Sequence, residues 1–186
     1  NRIFFMKSLG SYMLSNLLIV AHPDDEIIFA GNLLLTYNFI DKVICVTNGD
    51  NKVRKSEFES VMEKVKVDYE IWDFHDEWKV DLDIDGIRKK LHNTLREKKW
   101  DMVLTHNEVG DNNYEHPHHQ QIFECVKNEI VDLDTLYCFD NHGENLHLDI
   151  VKKKLKLLNL YKSQIKELGI IYIPMLESYF YKENFV

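Results

Sequence analysis

A chain of 186 residues with 45% hydrophobic and 29% charged positions suits one compact domain with a sizeable core, which excludes a disordered or fibrous chain. Lysine and arginine number 23 against 31 aspartates and glutamates, a formal charge of −8 with no basic stretch, so nucleic acid is not an expected partner. The longest wholly apolar runs, such as Leu17 to Ala21, fall far short of a transmembrane segment.

Residues 1–15 mix apolar and polar side chains and lack the unbroken apolar centre of a signal peptide. They read as a flexible or extraneous start, with Met6 and Met13 as alternative natural starts. Asn16 to Ala21 is then a short apolar run of strand length, and Asp41 to Thr47 a second, rich in β-branched residues. Between them, Glu26 to Tyr37 is apolar on most sides, as in a well-buried helix. Phe58, Val61, Met62 and Val65 fall at i, i+3, i+4 and i+7, one face of a surface helix. Tyr69 to Phe74 reads as a third strand, Ile84, Ile87, Leu91 and Leu95 stripe a further helix, and Asp101 to Thr105 is a fourth strand. A helix from Pro117 to about Ile130 and a strand over Leu136 to Phe139 follow. Val151, Leu155, Leu158, Tyr161, Ile165 and Leu168 then stripe one last long helix.

This alternation argues a single α/β domain over 1–186, a Rossmann-like three-layer sandwich with a mainly parallel sheet and helices on both faces. Cys45, Cys125 and Cys138 are an odd, widely spaced set with no C-x-x-C pair. They form neither a disulfide framework nor a thiolate zinc knuckle, which points to the cytoplasm. Cys45 and Cys138 lie in apolar runs and read as buried structural thiols. The Lys152-Lys153-Lys154 run reads as a solvated helix face, and Tyr179, Phe180 and Tyr181 as core packing.

In such folds a ligand site lies beyond the carboxyl ends of the strands. There the chain places its two densest clusters of ligand-type residues, His22-Pro-Asp-Asp-Glu26 after the first strand and His106 to His119 after the fourth. Five of the nine histidines fall between His106 and His142. One acidic residue at a helix start is ordinary capping. Three consecutive carboxylates beside a histidine carry a repulsion that a cation would relieve. Pro117 suits the first helical position, so His116 is the expected N-cap, with His119 on the same side of the first turn and His118 pointing elsewhere, to solvent or behind the site. Two histidines and a carboxylate from separate segments can hold zinc with a fourth position open.

Ala21-His-Pro-Asp-Asp-Glu26 after an apolar strand, with His116-x-x-His119 downstream, resembles the LmbE/PIG-L family of zinc-dependent N-acetylglucosamine de-N-acetylases. Thr47-Asn-Gly49, Arg54 with Glu57, Thr105-His106, Gly110-Asp111 with Tyr114, and Tyr161-Lys-Ser-Gln164 resemble further family patterns in order along the chain. The resemblance implies His22, Asp25 and His119 as zinc ligands and Asp24 as general base on a metal-bound water. It implies His116 as the histidine that stabilises the oxyanion and helps protonate the leaving amine, with Tyr114 assisting. The implied activity is removal of an acetyl group from an N-acetylated amino sugar, within a small molecule or a glycolipid. Asn48, Arg54 and Asp111 are candidate substrate contacts, although a surface ion pair of Arg54 with Glu57 is the blander reading. His106 is either behind the metal or a satisfied strand-end residue; His75 and Trp78 follow the third strand and could line the pocket.

The chain departs from the pattern at His118, where the family commonly has Asp. Either Asp111 or Glu115 supplies that charge, or His116 acts as a neutral donor. Two rival readings stay open: a Mg²⁺- or Mn²⁺-dependent phosphoesterase run by Asp24, Asp25 and Glu26, and a non-catalytic metal- or sugar-binding protein on the same fold.

Overall fold

The computed structural model describes residues 14–36, 39–109, 116–144, 147–168 and 183–185. Strand β1 (Asn16–Val20) leads through helix α1 (Asp25–Thr36) to β2 (Lys42–Thr47), and α2 (Lys52–Val65) leads on to β3 (Asp68–Phe74). Helix α3 (Ile84–Thr94), β4 (Met102–Thr105), α4 (Pro117–Glu129) and β5 (Leu136–Glu144) follow, then α5 (Leu148–Leu158), α6 (Lys162–Leu168) and β6 (Glu183–Phe185). The strands lie in the order β3-β2-β1-β4-β5-β6. Pairing is parallel from β3 through β5, while β6 runs antiparallel to β5.

Strand periodicity divides the core into two layers. Leu18 and Val20 of β1 face α1, α2 and α5, where Ile27, Leu33, Phe58, Met62 and Val151 are buried. Leu17, Ile19 and Ala21 face the opposite layer, where Ile87 and Leu91 of α3 meet Ile122 and Val126 of α4. A central strand buried on both faces needs a continuous apolar run, as Leu17 to Val20 supplies. The order also reverses at β1. Its neighbours β2 and β4 carry the chain away in opposite directions, so a crevice opens between the carboxyl ends of β1 and β4.

The α/β sandwich and its parallel sheet follow the pattern read from the sequence, and three details differ. The last long helix is two helices, because the chain turns at Asn159 and Leu160 and carries Tyr161 inward, where its hydroxyl donates to the Glu26 carboxylate in the core. An unbroken stripe through Leu158, Tyr161 and Ile165 hides that turn. Lys154 is not on a solvated face. It is fully buried, its stem lies against Gly31 of α1, and its Nζ donates to the Ile28 carbonyl at 2.9 Å. Cys45 and Cys125 are buried free thiols, but Cys138 is only half-buried. Tyr179, Phe180 and Tyr181 lie outside the described residues. Among the described residues no helix is long and apolar enough to cross a membrane.

Two predictions follow from this packing. The Gly49 N–H donates to the Trp72 carbonyl at 2.7 Å, and a Cβ there would meet that oxygen at 2.6 Å and its carbon at 2.8 Å. The obstruction is backbone, so Gly49→Ala is expected to destabilise the fold by about 2 kcal/mol in urea unfolding. Glu26 is fully buried, and burial pushes its carboxyl up to about 8 from an ordinary 4.5, against the hydrogen bonds from Tyr161 and from the Asp24 N–H. The folded chain therefore holds a proton that the unfolded chain releases. The stability this confers is present below about pH 4.5 and is lost as the pH rises through about 8. Glu26→Gln keeps the neutral shape, so the metal-free variant should gain stability over the wild type as the pH climbs across that window; a pH-independent difference would contradict the assignment.

Candidate metal centre

The site fills the crevice at the ends of β1 and β4. Thr47 anchors β2 there by donating from Oγ1 to the Ala21 carbonyl at 2.8 Å, and Thr105 anchors β4 by donating to the Ile19 carbonyl at 3.0 Å. The chain then turns sharply at His22-Pro23. Asp24 adopts a left-handed backbone with φ 113°, and its carbonyl accepts from the Ile27 and Ile28 N–H groups at 3.0 Å to open α1. A non-glycine residue in that conformation is strained, and such strain persists where surrounding structure imposes it.

The three adjacent carboxylates part company at once. Glu26 turns into the core toward Tyr161. Asp24, also buried, lies 4.0 Å from the Arg54 guanidinium. Asp25 turns to the imidazoles: its Oδ2 accepts from the His22 N–H at 2.8 Å and lies 3.3 Å from His22 Nδ1 and 3.3 Å from His119 Nε2. Burial opposes charge on Asp25, but His119 and His22 beside it hold its carboxyl well below the usual range. His22 shifts the other way, upward, because Asp25 and Asp76 outweigh its burial.

Among the described residues, three overlapping groups of ring nitrogens and carboxylate oxygens have the spacing of a metal site: His22, His116 and His119; His22, Asp76 and His118; and Asp25, His106 and His119. Local hydrogen bonds separate them. His106 Nε2 accepts from the Ala21 N–H at 2.9 Å, so its lone pair is used, and the ring stacks on His119 with centroids 3.9 Å apart. It is a satisfied strand-end residue that supports His119 from behind. His116 is the N-cap of α4, as expected, with Nδ1 accepting from the His118 N–H at 3.2 Å. That leaves Nε2 as its protonated nitrogen. Burial, with His22 and His119 nearby, pushes His116 down to about 3, so its ring is neutral in the metal-free chain.

His22 Nδ1, Asp25 Oδ2 and His119 Nε2 remain, each 3.3 Å from the other two. Ligands about 2.0–2.1 Å from a tetrahedral ion stand about 3.3–3.4 Å apart, so the donor set and its spacing both fit zinc. Trp78, 58% exposed, lies edge-on to His116 with ring centroids 4.9 Å apart.

Arg54 does not pair with Glu57. Its Nη2 donates to the Pro23 carbonyl at 2.8 Å and its Nη1 to Asp76 Oδ2 at 3.5 Å. Glu57 instead accepts from the N–H and hydroxyl of Ser163 at the start of α6, at 2.9 and 2.6 Å. Asn48, at φ 68°, donates from Nδ2 to Asp76 Oδ2 at 2.9 Å and to Thr47 Oγ1 at 2.8 Å. Asp76 was not singled out in the sequence, yet it touches Asn48, Arg54, His22 and His118. Its carboxyl is driven far down by the histidines in spite of its burial. Only its position two residues past β3, at the same sheet edge, could have marked it. His118 is not solvated: it is buried behind His22. His75 is exposed and pairs with Glu77 at 3.2 Å, outside this constellation. Asp111, Tyr114 and Glu115 lie outside the described residues.

Residues 17–130 match the PIG-L family, described as GlcNAc-PI de-N-acetylase. An uncharacterized protein of Acanthamoeba polyphaga mimivirus is 35% identical over 180 residues, 87% of this chain and 76% of its own length. A probable N-acetylglucosaminyl-phosphatidylinositol de-N-acetylase of Dictyostelium discoideum is 26% identical over 90% of this chain and 74% of its own. The fold is shared with a conserved protein of Thermus thermophilus, with TM-score 0.68, 17% identity and 94% of each chain covered. It is shared too with N,N'-diacetylchitobiose deacetylase of Pyrococcus horikoshii, with TM-score 0.67, 19% identity and 92% and 82% covered. With more than half its length matched by the family and a relative above 30% identity along most of it, the chain belongs to the PIG-L (LmbE-like) family.

Proposed function

We propose that this chain is a zinc-dependent de-N-acetylase that hydrolyses the acetamide of an N-acetylglucosamine-type amino sugar. The observation that carries the reading is the triangle of His22 Nδ1, Asp25 Oδ2 and His119 Nε2, 3.3 Å on each side. Family membership and the names borne by the Dictyostelium and Pyrococcus proteins support the reaction class.

A bound zinc ion would polarise the acetamide carbonyl and acidify the attacking water. Asp24, the residue before the ligand Asp25 in the turn into α1, takes the water proton on its carboxylate as the oxygen–carbon bond forms. His116 donates from Nε2 to the oxygen on which charge develops, and its neutral ring suits that role, since Nδ1 is engaged at the helix cap. When the carbon–nitrogen bond breaks, the amine takes the proton held by Asp24, leaving acetate and a free amino sugar. Tyr114 assists His116. Arg54, Asn48 through its amide oxygen, and Asp111 contact the polar groups of the substrate.

The phosphoesterase reading needs several carboxylates converging on one hard cation. Asp24, Asp25 and Glu26 instead point to three different environments, and the imidazoles gather around only one of them. The chain also keeps Asp24 next to the ligand Asp25 in sequence and His116 against the rings of His22 and His119, with centroids 4.7 and 4.9 Å apart, which metal or sugar binding alone does not require.

Acetate release from a panel of N-acetylglucosamine conjugates, including N-acetylglucosaminyl-phosphatidylinositol, tests the proposal. Wild type is expected to release acetate and to stop when a chelator strips its metal. Asp24→Asn should keep the metal and lose about 10²–10⁴-fold in rate, and His119→Ala should lose both metal and activity. Undiminished release by His119→Ala, or phosphate release in place of acetate, would overturn it.

A further inference from the structure

We propose that His118 is a positioning residue that holds the ring of His22, with its Nδ1 turned toward Asp25 and His119, through a hydrogen-bond relay ending on the Val80 carbonyl. The inference rests on the metal-dependent reading above and concerns what prepares the first ligand.

Proton placement follows from the fixed end of the relay. The Val80 carbonyl can only accept, and His118 Nε2 lies 2.8 Å from it, so Nε2 carries the proton. In that tautomer Nδ1 carries the lone pair, and it faces His22 Nε2 at 3.1 Å. His22 Nε2 is then the donor, so the proton that His22 yields to a metal ion is the one on Nδ1, the atom 3.3 Å from both Asp25 Oδ2 and His119 Nε2. Asp76 Oδ1, 3.4 Å from His22 Nε2, accepts from the same N–H. Its approach to His118 Nδ1, 3.3 Å, is the longer contact at that nitrogen, which His22 Nε2 holds at 3.1 Å. Asn48 at 2.9 Å and Arg54 at 3.5 Å hold Asp76 in place from its other oxygen.

Metal-bound imidazoles ordinarily donate their second nitrogen to a carboxylate or a backbone carbonyl, which sets the tautomer and the ring orientation. Here a second imidazole stands between, and only its length lets one side chain reach from His22 to the loop after β3. A histidine at 118, where the resemblance leads one to expect an aspartate, thus transmits the polarity of a distant carbonyl to the ligand ring. His118 is 1% exposed, so no water competes for its Nδ1. Reading His22, Asp76 and His118 as a second cation site would require His22 to give up both of its ring protons.

Cobalt(II) binding, by competition with a chromophoric chelator and by the visible absorption of the bound ion, separates these cases. His118→Leu removes the acceptor while keeping the apolar volume. It should weaken cobalt affinity by about 10–100-fold and move the visible band. His118→Asn, whose amide oxygen stands near the place of Nδ1, should bind and absorb as wild type does. Wild-type affinity and spectrum in His118→Leu, or an Asn variant as weak as the Leu variant, would overturn the relay. Two equivalents of cobalt per wild-type chain would also overturn it, by making the three residues a second cation site. No cobalt in the wild type would overturn the deacetylase reading together with the relay.

Discussion

Everything at the carboxyl edge of the sheet is organised around one electrostatic demand: Asp25 is 4% exposed and faces two imidazoles instead of water. A buried carboxylate is costly unless it is paired or bound to a cation. In the metal-free chain the pairing is with His22 and His119, which depress the Asp25 carboxyl. The same three atoms, at equal spacing, are a ready donor set for a tetrahedral ion. Proton and metal compete for one place, so the account makes metal binding and proton release two sides of one equilibrium.

Much of the surrounding structure serves to hold that triangle. Thr47 and Thr105 bond to the carbonyls of Ala21 and Ile19, which fixes the strand ends. His106 spends its Nε2 on the Ala21 N–H and lends its face to His119. On the far side of α1, Tyr161 reaches Glu26 and Ser163 reaches Glu57, so the start of the last helix is tied to both α1 and α2. The residues Tyr161 and Ser163, which the sequence offers only as a weak motif, are thereby structural ties behind the site.

The strand–helix alternation and the two ligand clusters were legible because each is local: apolar period, turn residues and ligand-type side chains occur together within a few positions. Tertiary geometry decided the rest. The Asn159–Leu160 break is invisible in a stripe that keeps helical spacing through Leu158, Tyr161 and Ile165, because its cause is a partner, Glu26, far away in the chain. Arg54 and Glu57 have the spacing of a helical ion pair, yet each is claimed by a stronger partner from another segment, Pro23 and Asp76 for one and Ser163 for the other. Asp76 stands in an ordinary polar loop, and only the parallel register of β3 on β2 brings it to the His22 edge. Lys154 looked solvated as one of three consecutive lysines, but Gly31 leaves a channel for its stem.

X-ray absorption at the zinc edge of the metal-loaded chain tests the central claim most directly, because it reads the donor atoms without reference to turnover. The account predicts a four-coordinate shell of nitrogen and oxygen at about 2.0–2.1 Å, with the outer-shell scattering of two imidazoles. A six-coordinate, all-oxygen shell without imidazole scattering would contradict it, and would move the metal away from His22 and His119 altogether.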